Sequence, residues 1–336
     1  MLAAVALGVA APVTARAQTR LEKGRISLAV ADRGAISSLP LLMAEQLGYF
    51  RAEGLVVDLV DATQPLRGSA GAVFSLADVV CGSQEQLVTL LAQGVACQSF
   101  VLPARAPGMA LGVPFRAAQG HRKVADLKGR RIGILAQGSL SHLTAVQLLW
   151  RSGLTSQMVS FVTLGSAPGA VAAFRAGQIE ALCHSDPAIT MLEQGGDIRL
   201  LADARSLKGS EEVFGGPMPA AALYAPTSFI QKNPQTVQAL TNAVVRSLKW
   251  LQTAGPSDLI RTVPESYLLG DRALYLGAFN RGREGLSPDG QIPDEAMRTA
   301  VLAMSHMDAG IKPQSLDLAG SYTNEFVRQA KLRYKA

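Results

Sequence analysis

Residues 77–94, ADVVCGSQEQLVTLLAQG, return 102 positions later as residues 179–196, IEALCHSDPAITMLEQGG. Asp78 falls on Glu180, Cys81 on Cys183, Ser83 on Ser185 and Gly94 on Gly196. Each copy starts as a short apolar strand, passes a small polar turn and ends as a helix. A second unit of this kind, starting at Arg25, is echoed by one starting at Arg131. A period this long is not that of a solenoid repeat, whose units run to about 20–50 residues. Duplication into two lobes explains it, each lobe carrying two strand-turn-helix corners.

Reading outward, RISLAV (25–30) alternates apolar residues like a strand. In SSLPLLMAEQLGYF (37–50), Leu39, Leu42, Met43 and Leu47 recur at helical spacing and Gly48 stops the helix. LVVDLVDA (55–62) is strand again, and the rhythm continues to Val113. Such alternation predicts an α/β chain of mostly parallel sheets flanked by helices. PGMALGVP (107–114) and PMPAAALYAP (217–226), apolar and bounded by Gly and Pro, look like crossings between lobes. They divide the chain into lobe I, residues 25–107 plus 219–336, and lobe II, residues 108–218. From Asn233, read as a cap with Pro234 at the first helical position, the chain is largely helical. Helices in QTVQALTNAVVRSLKWL, DEAMRTAVLAMSHM and SYTNEFVRQAKLRY are expected to pack on lobe I.

Composition narrows the function classes. The 336 residues are 48% hydrophobic, which predicts a folded globular protein, and carry a formal charge of +6. Basic residues are scattered, clustering only in pairs such as Arg122-Lys123 and Arg130-Arg131, and aromatics are 5%; a nucleic-acid partner is not expected. MLAAVALGVAAPVTARAQ reads as a secretory signal over residues 1–17, ending in the cleavage pattern Ala15-Arg16-Ala17, although the usual basic leader is missing. Its apolar run is about half the ~20 residues needed to span a membrane, so a soluble periplasmic protein is expected. Cys81, Cys97 and Cys183 lie in apolar runs and read as buried thiols rather than a disulfide framework.

In open α/β sheets, ligands sit beyond the carboxyl ends of the strands, where helix N-termini offer unpaired N–H groups and partial positive charge. Four corners are candidates: Arg33, Ser37 and Ser38 in DRGAISSLP; Ser83 and Gln84; Gly138, Ser139 and Ser141; and His184, Ser185 and Asp186. For each serine the competing reading is a helix cap that satisfies its own backbone. One corner contributes about 0.3–1 kcal/mol toward an anion. Micromolar affinity needs about 8 kcal/mol. Several corners must therefore converge on one ligand between two closing lobes.

At this point the chain resembles a known family. LPLLMAEQLGYFRAEGLVVDLV (39–60) looks like the start of periplasmic solute-binding proteins of the nitrate/sulfonate/taurine type, which serve bacterial ABC importers. VADLKGRRIGILAQGSLSHLTAVQLLWRSGL (124–154) is similar to their second-lobe entry, and GQIEALCHSDPAITMLEQGG (177–196) resembles the aliphatic-sulfonate branch. The likeness covers about residues 25–250. It implies a two-lobed, type II-like periplasmic-binding-protein fold, a small anionic or polar organic ligand, an ABC permease as membrane partner, and a monomer. Carried over by position, Ser83, Gln84, Gly138, Ser139 and Asp186 face the ligand. Where that branch often has aromatics, this chain has Leu182, Ser185 and the VVCGSQ run, which implies a wider or more polar pocket. Asp186 either caps its own helix or meets an amine or ring N–H of a zwitterionic or heterocyclic ligand.

Enzyme readings find less support. There is no G-x-S-x-G elbow. His142 adjoins Ser141 on a helix, where neighbours do not face each other, and only His121, His184 and His306 remain. No C-x-x-C or H-x-x-x-H spacing suggests a metal, and neither G-x-G-x-x-G nor a P-loop lysine suggests a nucleotide. The thiamine-pyrimidine precursor synthases of yeast and plants, enzymes of the same superfamily, use a Cys-rich iron motif that this chain lacks. The expectation is no catalysis, no cofactor and no metal, with a ligand-sensing protein for a membrane receptor, or an enzyme of that synthase-like group, as the alternatives to import.

Overall fold

The structure, a computed structural model, describes residues 20–30, 32–61, 72–117, 119–268 and 270–336. The signal segment 1–17 lies outside them. Among the described residues ten strands follow one another: β1 (Arg25–Val30), β2 (Val56–Asp61), β3 (Val79–Gly82), β4 (Cys97–Ala104), β5 (Met109–Pro114), β6 (Arg131–Ile134), β7 (Ser160–Thr163), β8 (Ala181–Ser185), β9 (Ile198–Ala204) and β10 (Ala221–Pro226). They form two five-stranded sheets, ordered β2-β1-β3-β10-β4 and β7-β6-β8-β5-β9. The orders match position by position, and the repeated stretch supplies the middle strand of each.

The likeness extends to side chains. Asp78, just before β3, accepts a hydrogen bond from Ser27 N at 2.9 Å; Glu180, just before β8, accepts one from Arg131 N at 2.8 Å. The duplicated acid thus pins the start of each middle strand to its parallel neighbour.

The sheets are mostly parallel, as expected, with four strands of each running one way and a fifth running against them. β1–β2, β1–β3, β6–β7 and β6–β8 pair parallel, whereas β5 and β10 pair antiparallel with both neighbours. The cause is an exchange. β5 leaves β4 to enter the second sheet, β10 leaves β9 to enter the first, and each arrives running against its hosts.

Helices shield the sheets, so central strands read as almost unbroken apolar runs. Leu28, Val79, Leu223, Ile132 and Leu182 are fully buried. Gly133 on β6 is required by close packing, since a Cβ there would lie 2.5 Å from Ile179 Cδ1 and Leu164 Cδ1. All three cysteines are free and buried, and burial pushes the Cys81 and Cys97 thiols up to about 12.

The C-terminal helices depart from expectation in two respects. Asn233 occupies the cap position of the helix Pro234–Thr253, but its amide donates to Phe229 O. The carboxylate of Glu22 takes the N–H groups of Gln235 and Thr236 instead, which suits the positive end of the helix. The helices also touch both sheets' layers, not the first alone. Glu325–Tyr334 packs on the first, with Phe326 edge-on to Phe100 of β4. Asp294–Met307 reaches the second, where His306 Nδ1 lies 2.9 Å from Gln147 Oε1 and the His306 ring stacks on Trp150. Arg281 and Glu193 add an ion pair of 2.7 Å between the same two regions.

Candidate functional site

All four corners meet. A cavity of about 70 Å³ is lined by Ser37 and Ser38, by Gly82 and Ser83, by Ser139 and Ser141, and by His184 and Ser185. Met109, Ala220 and Ala221, at the starts of the exchanged strands, close its floor. Asp32, Leu135, His184 and Ser185 continue into a mouth of about 420 Å³, flanked by Arg33, Ser166, Pro168, Asp186 and Tyr267. The topology explains the convergence. Each sheet sends the carboxyl ends of its parallel strands to one edge, and the two edges face each other across the crossings.

At the first corner, Asp32 organises the turn. Its carboxylate accepts from Gly34 N at 3.0 Å and its carbonyl accepts from Ser38 Oγ at 2.6 Å. Arg33 has only a loose ion pair with Glu45, at 3.7 Å, and reaches the mouth. At the second, Ser83 sits at the cap position of the helix Gln84–Ala92, yet its hydroxyl donates to Glu85 instead of accepting from the helix. Glu85 is 0% exposed, and burial raises its carboxyl to about 7.

The third corner is largely closed upon itself. Leu135 N donates to Ser141 Oγ at 2.9 Å, Gly138 N to His142 Nδ1 at 3.0 Å, and Ser139 Oγ to Ala136 O at 2.6 Å. Ser139 also accepts from His142 N at 3.4 Å, which makes it the cap of the helix Leu140–Arg151. At the fourth, Asp186 accepts from Thr190 N and Thr190 Oγ1 at 2.9 and 2.8 Å, capping the helix Ala188–Gln194 from inside. Burial raises the Asp186 carboxyl and the guanidinium of Arg205 opposes that rise. Both ring nitrogens of His184 lie near carbonyls, of Gly165 at 3.1 Å and Ser185 at 3.3 Å.

Of the residues chosen from sequence, Arg33, Ser37, Ser38, Ser83, Ser139, Ser141, His184, Ser185 and Asp186 line this cleft. Gln84 does not: it is fully buried, with Nε2 aimed at Ser99 Oγ 3.4 Å away, and Gln86 stands at the wall instead. Gly138 is not among the lining residues either; its φ of +72° serves the turn. Among the described residues the hydroxyls of Ser37 and Ser185 and the N–H groups of Leu140 and Ser141 have no partner, and with the Arg33 guanidinium they are donors available to a ligand.

Sequence reasoning missed Arg205. It is 3% exposed and is held by Asp186, Glu193 and Asp203 where β9 ends. Three carboxylates around one guanidinium neutralise it, so Arg33 is the cation that faces the open mouth. The run Ala202-Asp203-Ala204-Arg205 gave no signal, since a surface ion pair reads the same. No group of His, Cys, Asp or Glu among the described residues could hold a metal ion.

Comparison with known proteins agrees with this architecture. A family model described as NMT1/THI5 like matches residues 35–254. A solved structure from Bordetella bronchiseptica RB50 is 42% identical, with a TM-score of 0.89 over 94% of this chain and 100% of that one. The alkanesulfonate-binding protein SsuA of Xanthomonas axonopodis pv. citri, bound to MOPS, is 19% identical with a TM-score of 0.69 over 91% and 100%. The periplasmic nitrate-binding protein NrtA of Synechocystis PCC 6803 is 14% identical, with the same TM-score over 93% and 89%. The desulfurization enzyme DSZB shares the fold at 16% identity and a TM-score of 0.62, over 92% and 99%. No curated protein sequence matches the chain. The fold is that of the periplasmic binding proteins, and no helix among the described residues is long and apolar enough to cross a membrane.

Proposed function

The chain belongs to the NMT1/THI5-like family, and on that premise we propose that it is an extracytoplasmic binding protein of an ABC importer. It captures one small anionic or polar organic solute and delivers it to a permease in the membrane, acting as a monomer. Residues 25–107 with 219–336 form one lobe and residues 108–218 the other, and they close on the ligand by hinge motion about the two crossings.

The observation that carries this reading is the meeting of four helix-starting corners from two sheets at one gap. Three of them supply an unpartnered hydroxyl or N–H, from Ser37, from Leu140 and Ser141, and from Ser185, and only a ligand lying between the sheets can use several together. Arg33 offers a guanidinium at the mouth beside the carboxylates of Asp32, Asp61 and Asp186, and a protein of the same fold holds MOPS. A catalytic reading lacks a nucleophile–base pair in the described lining: Ser139 points to Ala136 O, and the His142 ring accepts from Gly138 N.

A thermal-shift screen tests the proposal, since a ligand that binds only the native state raises the melting point by mass action. Sulfonates, aromatic acids, nitrate and pyrimidine precursors form the panel. A shift with at least one, lost when Ser185→Tyr fills the cleft, is expected. No shift with any of them overturns the anionic-solute reading.

A further inference from the structure

Glu85 is the polar group the binding reading leaves unused. It occupies the first turn of the helix Gln84–Ala92, is 0% exposed, and receives the Ser83 hydroxyl on Oε1. Its Oε2 is buried with no partner among the described residues. An ionised carboxylate has about four acceptor sites and pays heavily for those left unmet, whereas the neutral acid has fewer to satisfy. Among the described residues no cation lowers its carboxyl. Tyr224 of β10 interacts with it, and Cys81 of β3 and Cys97 of β4 interact with that tyrosine in turn. The helix Asp294–Met307, which packs on the helix Gln84–Ala92, keeps Asp294, Glu295 and Arg298 exposed and turns His306 to Gln147 and Trp150.

Ser83 joins this acid to the cleft, because Ser83 lines the cavity. With Glu85 ionised, the Ser83 hydroxyl is committed to the carboxylate and only its lone pairs remain for a ligand. With Glu85 neutral, the acid donates to Ser83 Oγ, and the Ser83 proton is free to point into the cleft. We propose that Glu85 is a proton-linked specificity residue: its neutral form turns Ser83 into a donor, so that capture of an anion in the cleft is coupled to uptake of one proton. Loss of repulsion between anion and carboxylate acts in the same direction. The burial that raises the Glu85 carboxyl to about 7 places the change within the ordinary working range of pH. The proposal rests on the anionic-solute reading above.

The test uses the full chain and ethanesulfonate, nitrate and benzoate as probes. Affinity is measured by calorimetry from pH 5.5 to 8.5 for wild type, Glu85→Gln and Ser83→Ala, and the wild-type-minus-Glu85→Gln infrared difference spectrum follows the acid C=O band. The expected result is a probe affinity that falls with rising pH in wild type, approaching tenfold per unit at the alkaline end. In Glu85→Gln and Ser83→Ala that slope flattens, and added probe shifts the titration of the carboxyl band upward. A probe that binds with the same pH slope in wild type and Glu85→Gln, or a band that ignores the probe, overturns the proton coupling and leaves the binding reading standing. Absence of binding by every probe at every pH overturns both.

Discussion

Arg205 Nη1 lies 3.4 Å from Asp186 Oδ2, and the two side chains are only 3% and 4% exposed. The same guanidinium holds Glu193 at 2.9 Å and Asp203 at 2.6 Å, and Glu193 also meets Arg281 from the C-terminal region. Arg205 is therefore the centre of a charged knot behind the cleft, joining the end of β9 to the start of the helix Ala188–Gln194. Removing one partner of a buried pair leaves the others uncompensated.

Arg205→Met is expected to destabilise the protein by about 3–5 kcal/mol. Adding Asp186→Asn should restore part of that loss, because the stranded carboxylate disappears while the amide can still accept from Thr190 N. Urea unfolding at pH 7 of the two single variants and the double variant measures the coupling. Strict additivity would show that the pair contributes nothing.

Ser185 borders both the cavity and its mouth, and among the described residues its hydroxyl has no partner. Ser185→Tyr should lower ligand affinity at least tenfold (about 1.4 kcal/mol) by occupying the gap. Stability without ligand should change little, because no hydrogen bond is lost. Calorimetric titration beside a ligand-free melt separates the two effects.

Glu85 also sets a stability trend. Its carboxyl is raised in the folded state from the ordinary 4.5 to about 7 by burial. The folded protein therefore binds more protons than the unfolded chain between those values, and stability is full below about 4.5 and declines as pH rises through 7. At roughly 1.4 kcal/mol per unit the decline is about 3 kcal/mol at most. Glu85→Gln should flatten it, so that the variant gains on wild type at pH 8 and not at pH 4.5, read from denaturation midpoints at the two pH values.

The ring centroids of His306 and Trp150 are 3.8 Å apart and their planes differ by 14°. Burial holds the His306 imidazole below its ordinary value. Trp150 emission should therefore change with a midpoint below the usual ~6.5 of a histidine. The transition should vanish in His306→Gln, leaving a steady signal from both tryptophans, Trp150 and Trp250. A midpoint at or above 6.5 would contradict the desolvated contact.

Strands, helices and the four corners were legible because each depends on local pattern: apolar alternation, helical spacing and small polar turns. Convergence was legible only through the duplication, which sets Ser83 and Ser185 at equal places in two sheets. Partners were not legible. Whether Gly138 N points at a ligand or at His142 Nδ1, and whether Gln84 or Gln86 meets the cleft, depends on a rotation of a helix's first turn that residue type does not encode. Glu22 displaces Asn233 as the acceptor at the helix Pro234–Thr253 across more than two hundred residues of sequence, which no capping pattern can reveal. The one reversed strand in each sheet was not legible because β5 and β10 read as crossings, and a crossing does not announce its direction.

The exchanged strands impose an order on synthesis. The first sheet has a vacancy between β3 and β4 until residues 221–226 leave the ribosome, by which time every strand of the second sheet has already emerged. The earlier half must wait with two edges open while the later one assembles, so a chain halted near residue 200 would expose unpaired backbone to aggregation or to a chaperone.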